Sequence, residues 1–239
     1  MSTRTLLAAI WVCAVGCQPD ERDQALSDEN STAPLVFRLP LEVPEDFSLV
    51  VGVDHDPEEQ ESGWGQLNCT DYAGRAFPHC YDQHTGTDFI LSGGFAAMDA
   101  GSATVVAATD GVVVDTEDGH YDRCHGDLAE GSNSCDGYSG IANHVIIEHC
   151  SGHRTLYWHL MKGSVAVEVG EEVAKGDFLG MVGSSGNSFA PHLHFGLQTP
   201  QMHTVDPFAG DFSHGSSWWC AQGEPDELPG ICDGDTGGR

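Results

Sequence analysis

The feature that most constrains the fold is a series of short β-branched runs, separated by turn residues, that begins near residue 81. Residues 104–108 (TVVAA) and 111–114 (GVVV) are two of these runs, and a Thr-Asp-Gly turn signal lies between them. Short apolar runs bounded by Gly and Asp are typical of β-strands. The sequence shows no long amphipathic helix and no internal repeat, and its 30 glycines fit a turn-rich protein. We therefore predict a mainly β fold.

The clearest pair of strands lies in the middle of the chain. His144 to His149 reads as one strand, Ser151-Gly152 as a turn, and residues 154–160 as the returning strand of a hairpin. Further strands are predicted at 165–169, 178–182 and 192–197, with one or two more between 35 and 53. Residues 116–140 interrupt the pattern because they are rich in Asp, Gly and Ser, and we expect a long inserted loop there.

The last strong strand carries an unusual pair of histidines. In Pro191-His192-Leu193-His194-Phe195, the two histidines are two residues apart, so their side chains point to the same face of a strand. Leu193 and Phe195 point to the opposite face, toward the core. Two imidazoles on one face of an otherwise apolar strand are costly to bury unless they have partners. The pair therefore indicates a site.

Two other segments supply groups that fit such a site. His84 and Asp88 flank a short glycine-containing turn, so both side chains can reach one cation. His159 ends the returning strand of the hairpin. A catalytic zinc ion takes three protein ligands and keeps one position open. His84, Asp88 and one of His192 and His194 make three, and the remaining histidines can move protons or stabilise an oxyanion.

The charge of the chain excludes one class of function. The formal net charge is −28, with only 9 lysines and arginines. Nucleic-acid binding needs a basic surface that releases counterions from phosphate, and docking on anionic lipid also needs positive charge. We therefore predict no nucleic-acid partner, and contact with a membrane only through a lipid anchor.

The first 17 residues read as an export signal. Arg4 provides a positive charge, and residues 6–16 form an apolar run that is too short to span a bilayer. The run ends in Ala14-Val15-Gly16-Cys17, which resembles a bacterial lipobox with alanine where leucine is usual. In a lipobox the cysteine is lipidated. We predict an exported cell-envelope lipoprotein, in the periplasm or at the outer membrane, rather than a freely secreted protein.

Seven cysteines follow the signal, and six of them form sequence-local pairs: Cys69 with Cys80, Cys124 with Cys135, and Cys220 with Cys232. Each pair would close a short loop in an oxidising compartment, and none has the C-x-x-C spacing of a structural zinc site. We therefore predict three disulfides, although spacing alone does not fix the connectivity. Pairing these six leaves Cys150 as the expected odd residue.

Four motifs occur in a fixed order between residues 81 and 208. They are HTGTD (84–88), TLYWHL (155–160), GSSGNS (183–188) and PHLHF (191–195). This ordered set resembles the lysostaphin/LytM-type zinc endopeptidases, a family that also includes the beta-lytic endopeptidases. Similarity to that family extends to residues 106–113, 169–173, 175–177 and 205–207.

The resemblance implies a role for each residue of the site. His84, Asp88 and His194 would be the ligands of one Zn²⁺ ion per chain. His159 and His192 would be the catalytic histidines, which polarise water or stabilise the tetrahedral intermediate. The implied fold is a compact antiparallel β-sheet, barrel-sandwich-like peptidase domain (a duplicated hybrid motif) with loop insertions. The implied function is hydrolysis of peptide bonds in the stem or cross-bridge peptides of peptidoglycan.

These observations divide the chain into five parts. They are a signal peptide with a lipobox (1–17), a disordered tether (18–34), an N-terminal extension that packs on the core (35–80), the zinc peptidase domain (81–210) and a disulfide-containing C-terminal tail (211–239). The sequence leaves open whether the N-terminal extension covers the groove as an inhibitory segment. It also leaves the oligomeric state open.

The main alternative is a non-catalytic regulator that binds the wall and activates another wall hydrolase. Relatives of that kind lack one or more of the five site residues, and all five are present here, which favours the enzyme. A bacteriolytic enzyme aimed at other cells would use the same chemistry. The chain departs from the family pattern at Gly196, where glutamate is frequent, at Phe189, and in the long insertion at 116–140. The insertion bears on substrate preference rather than on metal binding, and the bond that is cut stays open.

Overall fold

The computed structural model describes residues 35–56, 68–225, 227–230 and 232. The predicted signal peptide and tether, residues 1–34, lie outside this part. The described strands are β1 (Phe47–Val51), β2 (Thr87–Leu91), β3 (Thr104–Val106), β4 (Gly111–Glu117), β5 (His125–Asp127), β6 (Ser132–Ser134), β7 (His144–Glu148), β8 (Arg154–Trp158), β9 (Glu172–Val173), β10 (Phe178–Met181) and β11 (His192–Gln198). A short helix, α1 (Gly94–Ala100), follows β2, and a single 3-10 turn at Pro44–Asp46 precedes β1.

Seven of these strands form one sheet in the order β1-β2-β11-β8-β7-β4-β9. Every neighbouring pair in this sheet is antiparallel. β10 and β3 form a two-stranded antiparallel sheet, and β5 and β6 form another. The prediction of a mainly antiparallel β fold is therefore confirmed.

The predicted hairpin is present as β7 and β8, but one detail of the strand predictions is wrong. The runs at 104–108 and 111–114 contain the strands β3 and β4, which lie in different sheets, because β3 pairs with β10 whereas β4 pairs with β7 and β9. Residues 165–169 form no strand. The backbone N–H of Glu168 donates to the side chain of Glu171 at 3.0 Å, so local side-chain bonding replaces a strand ladder there.

The insertion at 116–140 is more ordered than the expected loop. β4 extends into it as far as Glu117, and β5 and β6 form a small hairpin within it. The Cys124–Cys135 disulfide closes the segment that contains this hairpin. The short strands are exposed, so they lack the alternating apolar pattern from which a strand is predicted.

All three predicted disulfides are present. They are Cys69–Cys80, Cys124–Cys135 and Cys220–Cys232. The expectation for Cys150 is wrong, because Cys150 is also disulfide-bonded.

The apolar core joins strands from the centre of the sheet to both ends of the described chain. Leu193 and Phe195 of β11 are fully buried in it, as the alternation predicts. Phe37 contacts Phe195 edge-on at 5.9 Å, and Trp219 lies 5.4 Å from Phe195. The N–H of Phe37 also donates to the carbonyl of Trp218 at 2.7 Å. Segments before and after the central strands therefore share one core with the sheet. Among the described residues, no helix is long and apolar enough to cross a membrane.

Candidate metal centre

The register of three adjacent strands builds the centre of the site. In the sheet, β11 lies between β2 and β8, and His194 of β11 is directly opposite Asp88 on one side and Trp158 on the other. Side chains that are opposite each other on antiparallel strands lie close together. Pairing of β2 with β11 therefore brings together two residues that are 106 positions apart in the sequence.

Three side chains meet in this row. Nδ1 of His194 lies 2.9 Å from Oδ1 of Asp88, and Nε2 of His84 lies 3.1 Å from the same oxygen. The two imidazoles approach within 3.2 Å, measured from Nε2 of His84 to Nδ1 of His194. All three residues are buried, and one donor atom from each lies within 4.8 Å of the other two.

Contacts around the group fix the direction of the His84 ring. Its Nδ1 lies 2.7 Å from the carbonyl oxygen of Gly52, so Nδ1 carries the proton and donates it, which leaves the lone pair of Nε2 facing Asp88 and His194. Tyr81 stacks on the ring with centroids 4.2 Å apart. The Tyr81 hydroxyl lies 3.4 Å from Oδ2 of Asp88. Burial, and next the charge of Asp88, raise the pKa of Tyr81 well above its usual value.

The imidazole of His194 lies between the indole of Trp158 and the backbone of Gly86. Trp158 stacks on it with centroids 5.5 Å apart and planes 24° apart. On the other side, a Cβ atom at position 86 would lie 2.5 Å from Nε2 of His194. Real Cβ atoms do not approach that closely, so the glycine of the HTGTD motif leaves the space that the imidazole occupies.

The other two predicted histidines lie beside this group. The ring centroids of His159 and His192 are 4.6 Å apart, and Nε2 of His192 is 3.6 Å from Oδ1 of Asp88. Nδ1 of His159 donates to the carbonyl of Ser185 at 2.6 Å, and Nδ1 of His192 donates to the carbonyl of Ala190 at 2.7 Å. Both rings therefore keep the lone pair on Nε2.

His159 also has a backbone conformation that is rare for its residue type. Its φ angle is 67°, in the left-handed region that favours glycine. Residues held in this region cost about 1–3 kcal/mol and occur frequently at functional sites. The turn after β8 therefore places His159 where a relaxed extended strand would not.

The electrostatics of the site favour a neutral imidazole beside an ionised carboxylate. Burial alone would raise the pKa of Asp88, but the electrostatic interactions and hydrogen bonding of its carboxylate with the surrounding imidazoles of His84, His192 and His194 outweigh burial and hold that pKa well below its usual value. Burial, together with repulsion from His192 and His194, holds the pKa of His159 well below the usual histidine value. Burial also lowers the pKa of His194.

The disulfide-closed insertion contacts the loop that orients His159 and His192. The N–H of Cys124 donates to the carbonyl of Ser184 at 2.8 Å, and the Ser184 hydroxyl donates to the carbonyl of Cys124 at 2.6 Å. The Ser184 hydroxyl also lies 2.8 Å from the Ser188 hydroxyl, which is 3.3 Å from Nδ1 of His192. The insertion thus contacts the loop whose carbonyls orient His159 and His192.

The group opens into a cleft with a volume of about 330 Å³. The described residues that line it lie at 81–85, 158–159, Asn187 and His194. Those of the N-terminal extension, at 35–56 and 68–80, lie outside that lining. The side-chain amide of Asn133, in β6, donates to Oδ1 of Asn187 at 2.6 Å, so the insertion also reaches the cleft wall.

The structure brings all five predicted site residues together and adds residues that the sequence did not indicate. Gly52, Tyr81 and Trp158 contact the group of His84, Asp88 and His194 directly, and of these three only Trp158 lies within one of the four motifs. Tyr81 and Trp158 are close in sequence to His84 and His159, and an aromatic residue near a motif histidine is the signal that could have identified them. Gly52 had no such signal, because its contact depends on the pairing of β1 with β2.

The donor set fits a divalent metal ion on chemical grounds. It consists of two imidazole nitrogens and one carboxylate oxygen, which are preferred ligands of zinc. Three protein ligands at the edge of a cleft leave a further coordination position accessible. The outward N–H of His84 donates to a backbone carbonyl, as metal-ligating histidines typically do.

The fold and the site define an antiparallel β-sheet protein whose cleft holds a buried His–Asp–His group suited to a metal ion. Residues 82–207, more than half of the chain, match the family model described as Peptidase family M23. The chain belongs to Peptidase family M23. The resemblance to lysostaphin-type endopeptidases is thereby confirmed.

Several curated proteins are similar to parts of the chain. Peptidoglycan DD-endopeptidase ShyA of Vibrio cholerae is 31% identical over 114 residues, which cover 48% of this chain and 20% of ShyA. Glycyl-glycine endopeptidase ALE-1 of Staphylococcus capitis is 42% identical over 62 residues, which cover 26% of this chain and 17% of ALE-1. The chain thus spans one fifth or less of the length of these two relatives.

Solved structures show similarity over a larger share of the chain. The catalytic domain of the prophage-encoded M23 protein EnpA from Enterococcus faecalis is 25% identical, with a TM-score of 0.39, and the match covers 62% of this chain and 92% of that one. The catalytic domain of lysostaphin from Staphylococcus simulans is 24% identical, with a TM-score of 0.36, and the match covers 62% of this chain and 86% of that one.

Proposed function

We propose that this chain is a zinc-dependent endopeptidase that hydrolyses peptide bonds in peptidoglycan. The observation that carries the proposal is the buried group of His84, Asp88 and His194 beside two histidines whose Nε2 atoms keep their lone pairs. A buried set of this kind is costly without a partner, and a metal ion is the partner that its donor atoms fit.

His84, Asp88 and His194 hold one Zn²⁺ ion in this proposal. Zinc, once bound, polarises a carbonyl and lowers the pKa of a water to about 7. The residues of the chain supply the arrangement. The carbonyl of Gly52 directs the lone pair of His84 inward, and Trp158 and Gly86 set the plane of the His194 ring.

His159 and His192 carry the proton chemistry. Each ring donates from Nδ1 to a backbone carbonyl, so its Nε2 can accept a proton from the attacking water or donate one to the leaving amine. A protonated Nε2 also stabilises the negative charge that develops on the carbonyl oxygen. Because the carbonyls of Ser185 and Ala190 fix both rings, little reorganisation is needed during the reaction.

The composition of the cleft suits a short peptide. Tyr81 and Trp158 offer apolar faces, and Gln83 and Asn187 offer amide groups for a peptide backbone. Family membership and the names of the relatives support peptidoglycan as the source of that peptide. ShyA is named a DD-endopeptidase and ALE-1 a glycyl-glycine endopeptidase, so both bond types are candidates here.

Digestion of two defined walls tests the proposal. The purified protein is incubated with peptidoglycan that has direct D,D-crosslinks and with peptidoglycan that has glycine bridges, each with and without a chelator. We expect new amino groups from one wall, loss of this release with chelator, and its return with Zn²⁺. Mass spectrometry of the fragments then identifies the bond. His159→Ala should abolish release, whereas His125→Ala, in an exposed position on β5, should not.

Two results would contradict the proposal that the chain is a zinc-dependent endopeptidase. One is release that persists in full with chelator or in the His159→Ala variant. The other is zinc binding with no cleavage of either wall, and this would instead support the alternative of a regulator that binds the wall and activates another hydrolase.

We also propose that the chain is exported and lipidated at Cys17. Support comes from the apolar run at 6–16 and the lipobox-like sequence that ends at Cys17. Mass spectrometry of the protein isolated from its producing cells tests this proposal. A diacylated N-terminal Cys17 is the expected result, and an unmodified N-terminus after residue 17 or elsewhere would contradict lipidation.

A further inference from the structure

The N-terminal extension, residues 35–80, reaches the candidate metal centre from behind. β1 pairs with β2, and Val51 is directly opposite the ligand Asp88. Gly52 follows Val51, so its carbonyl lies next to the group and accepts the Nδ1 proton of His84 at 2.7 Å. Strand pairing therefore carries a residue of the extension into contact with His84.

Asp54 joins the extension to the loop that precedes His84. Its Oδ2 accepts the backbone N–H of Gln83 at 3.0 Å, and its own N–H donates to the carbonyl of His84 at 2.9 Å. Its Oδ1 accepts the N–H groups of Asp56 at 2.9 Å and Thr70 at 3.1 Å. One carboxylate thus connects three separate stretches of backbone.

The loop needs such a connection. Gln83 has a φ angle of 60°, in the left-handed region, so the backbone immediately before His84 is strained. On the other side, Thr70 follows Cys69, and the Cys69–Cys80 disulfide closes this part of the extension. The N–H of Gly52 donates to the carbonyl of His79 at 2.7 Å, and His79 lies within the loop that this disulfide closes. Asp54 therefore links the disulfide-closed segment of the extension to the strained backbone at Gln83.

We propose that the N-terminal extension completes the metal centre, and that Asp54 is a positioning residue that fixes the direction and the tautomer of His84. This inference rests on the proposed function, because it concerns the affinity for zinc. The described residues of the extension, 35–56 and 68–80, lie outside the lining of the cleft, and Gly52 contacts the ring of His84 on the side away from Asp88 and His194.

The expected effect follows from the behaviour of outer-shell contacts. A hydrogen bond to the second ring nitrogen of a ligating histidine fixes its tautomer and orientation, and loss of such partners costs about 10–100-fold in metal affinity. Gly52 contributes through its backbone, which a substitution cannot remove. Asp54 is therefore the side chain through which the contact can be tested.

A matched pair of asparagine variants isolates this role. In Asp54→Asn, the amide oxygen still accepts from Asp56 and Thr70, but the amide nitrogen cannot accept the N–H of Gln83. In the control Asp71→Asn, the oxygen that replaces Oδ1 still accepts from Ala73 and Arg75, and the interaction of Oδ2 with the Arg75 guanidinium is lost. Both residues belong to the same extension, and each substitution removes one negative charge.

Two readouts apply, and neither depends on cleavage. The first is the dissociation constant for Zn²⁺, from competition with a chromogenic chelator at low and high salt. The second is the tautomer of the His84 ring in the metal-free protein, from ¹⁵N–¹H NMR. We expect Asp54→Asn to weaken zinc binding by about tenfold or more at both salt concentrations and to mix the His84 tautomers. A pure charge effect would shrink as salt increases.

Asp71→Asn should leave the zinc constant within about twofold of wild type and the tautomer unchanged, although it lowers the melting temperature. The inference is overturned if Asp54→Asn binds zinc as wild type does and retains a single Nδ1–H tautomer. It is also overturned if both variants weaken zinc binding equally. Failure of the proposed function would give a different result. The wild type would bind zinc without cleaving a wall, while Asp54→Asn and Asp71→Asn would still differ in their dissociation constants for Zn²⁺.

Discussion

Gly86 lies against the imidazole of His194, so closely that a Cβ atom at position 86 would be 2.5 Å from Nε2 of that ring and 2.9 Å from the carbonyl oxygen of Phe195. The glycine is therefore required by the position of His194 rather than by an unusual backbone angle. This close approach explains why a glycine stands between His84 and Asp88 in the HTGTD motif.

Gly86→Ala is expected to displace the His194 ring and to weaken zinc binding by about tenfold or more, as loss of ligand orientation does in other metal sites. Chelator competition measures the change. Gly140→Ala is the control, because a Cβ atom there meets nothing within 4 Å. Equal zinc affinity in the two alanine variants would contradict the steric role of Gly86.

His159 combines a proposed catalytic side chain with a strained backbone. His159→Ala is expected to keep zinc and lose cleavage, whereas His194→Ala is expected to lose both. His159→Gly should also be inactive, but its free energy of unfolding should exceed that of His159→Ala by about 1 kcal/mol, because glycine relieves the φ angle of 67°. Denaturant titration of both variants measures this difference. Loss of zinc in His159→Ala would make His159 a ligand instead.

The contact between the insertion and the histidine loop predicts an effect on turnover alone. Ser184→Ala removes the hydroxyl that links Cys124 to Ser188 and hence to His192. We expect kcat to fall by about tenfold, equivalent to ~1.4 kcal/mol of transition-state stabilisation, with unchanged zinc affinity. Ser213→Ala is the control, because it removes a hydroxyl that donates to the carbonyl of Phe208. The same fall in kcat for both variants would show a general loss of stability rather than a positioning effect.

Buried His149 predicts how stability depends on pH. Its Nδ1 lies 2.8 Å from the carbonyl of Asp110 and its Nε2 lies 2.9 Å from the hydroxyl of Thr155. Burial lowers the pKa of His149, and the charge of His153 adds to the decrease, whereas the hydrogen bond to Asp110 and the charges of Asp110 and Glu148 oppose it.

Because the folded-state pKa of His149 lies below its unfolded value of about 6.5, the unfolded chain binds the proton more tightly. This part of the stability is therefore complete above about pH 6.5 and is lost as the pH falls toward the folded-state pKa. Urea titrations at pH 7.5 and 5.5 measure the loss, and His149→Gln should reduce it. His125→Gln, on exposed β5, is the control. An equal loss in wild type and His149→Gln would contradict this account.

Strand alternation and a short turn are local properties, so the sequence predicted that His192 lies beside His194 and that His84 lies near Asp88. The meeting of these two motifs depends on the pairing of β2 with β11, and the family resemblance rather than local pattern implied it. The spacing of His192 and His194 places both on one face, and the burial of Leu193 and Phe195 in the core agrees with it. Contacts that depend on strand pairing were not visible. Gly52 reaches His84 only because β1 pairs with β2, and Trp158 stacks on His194 only because β8 pairs with β11.

Other differences have equally specific causes. The run of valines at 165–169 has the composition of a strand, but the nearby side chain of Glu171 accepts the backbone N–H of Glu168, and no strand ladder forms there. The exposed hairpin of β5 and β6 has no apolar alternation to indicate it, and its order comes from a disulfide and from contacts with residues 184–189. The apolar composition of a segment predicts whether it is buried. In these two segments, polar contacts and a disulfide instead determine whether a strand forms.

Zinc titration of the metal-free protein tests the central claim most directly. The purified protein is stripped with chelator, and the release of amino groups from peptidoglycan is followed as Zn²⁺ is added back. Cleavage should rise linearly and reach its maximum at one zinc per chain, and the His194→Ala variant should show no rise. Full cleavage by the zinc-free wild type, or by His194→Ala, would contradict the assignment of the His84–Asp88–His194 group as a catalytic metal centre.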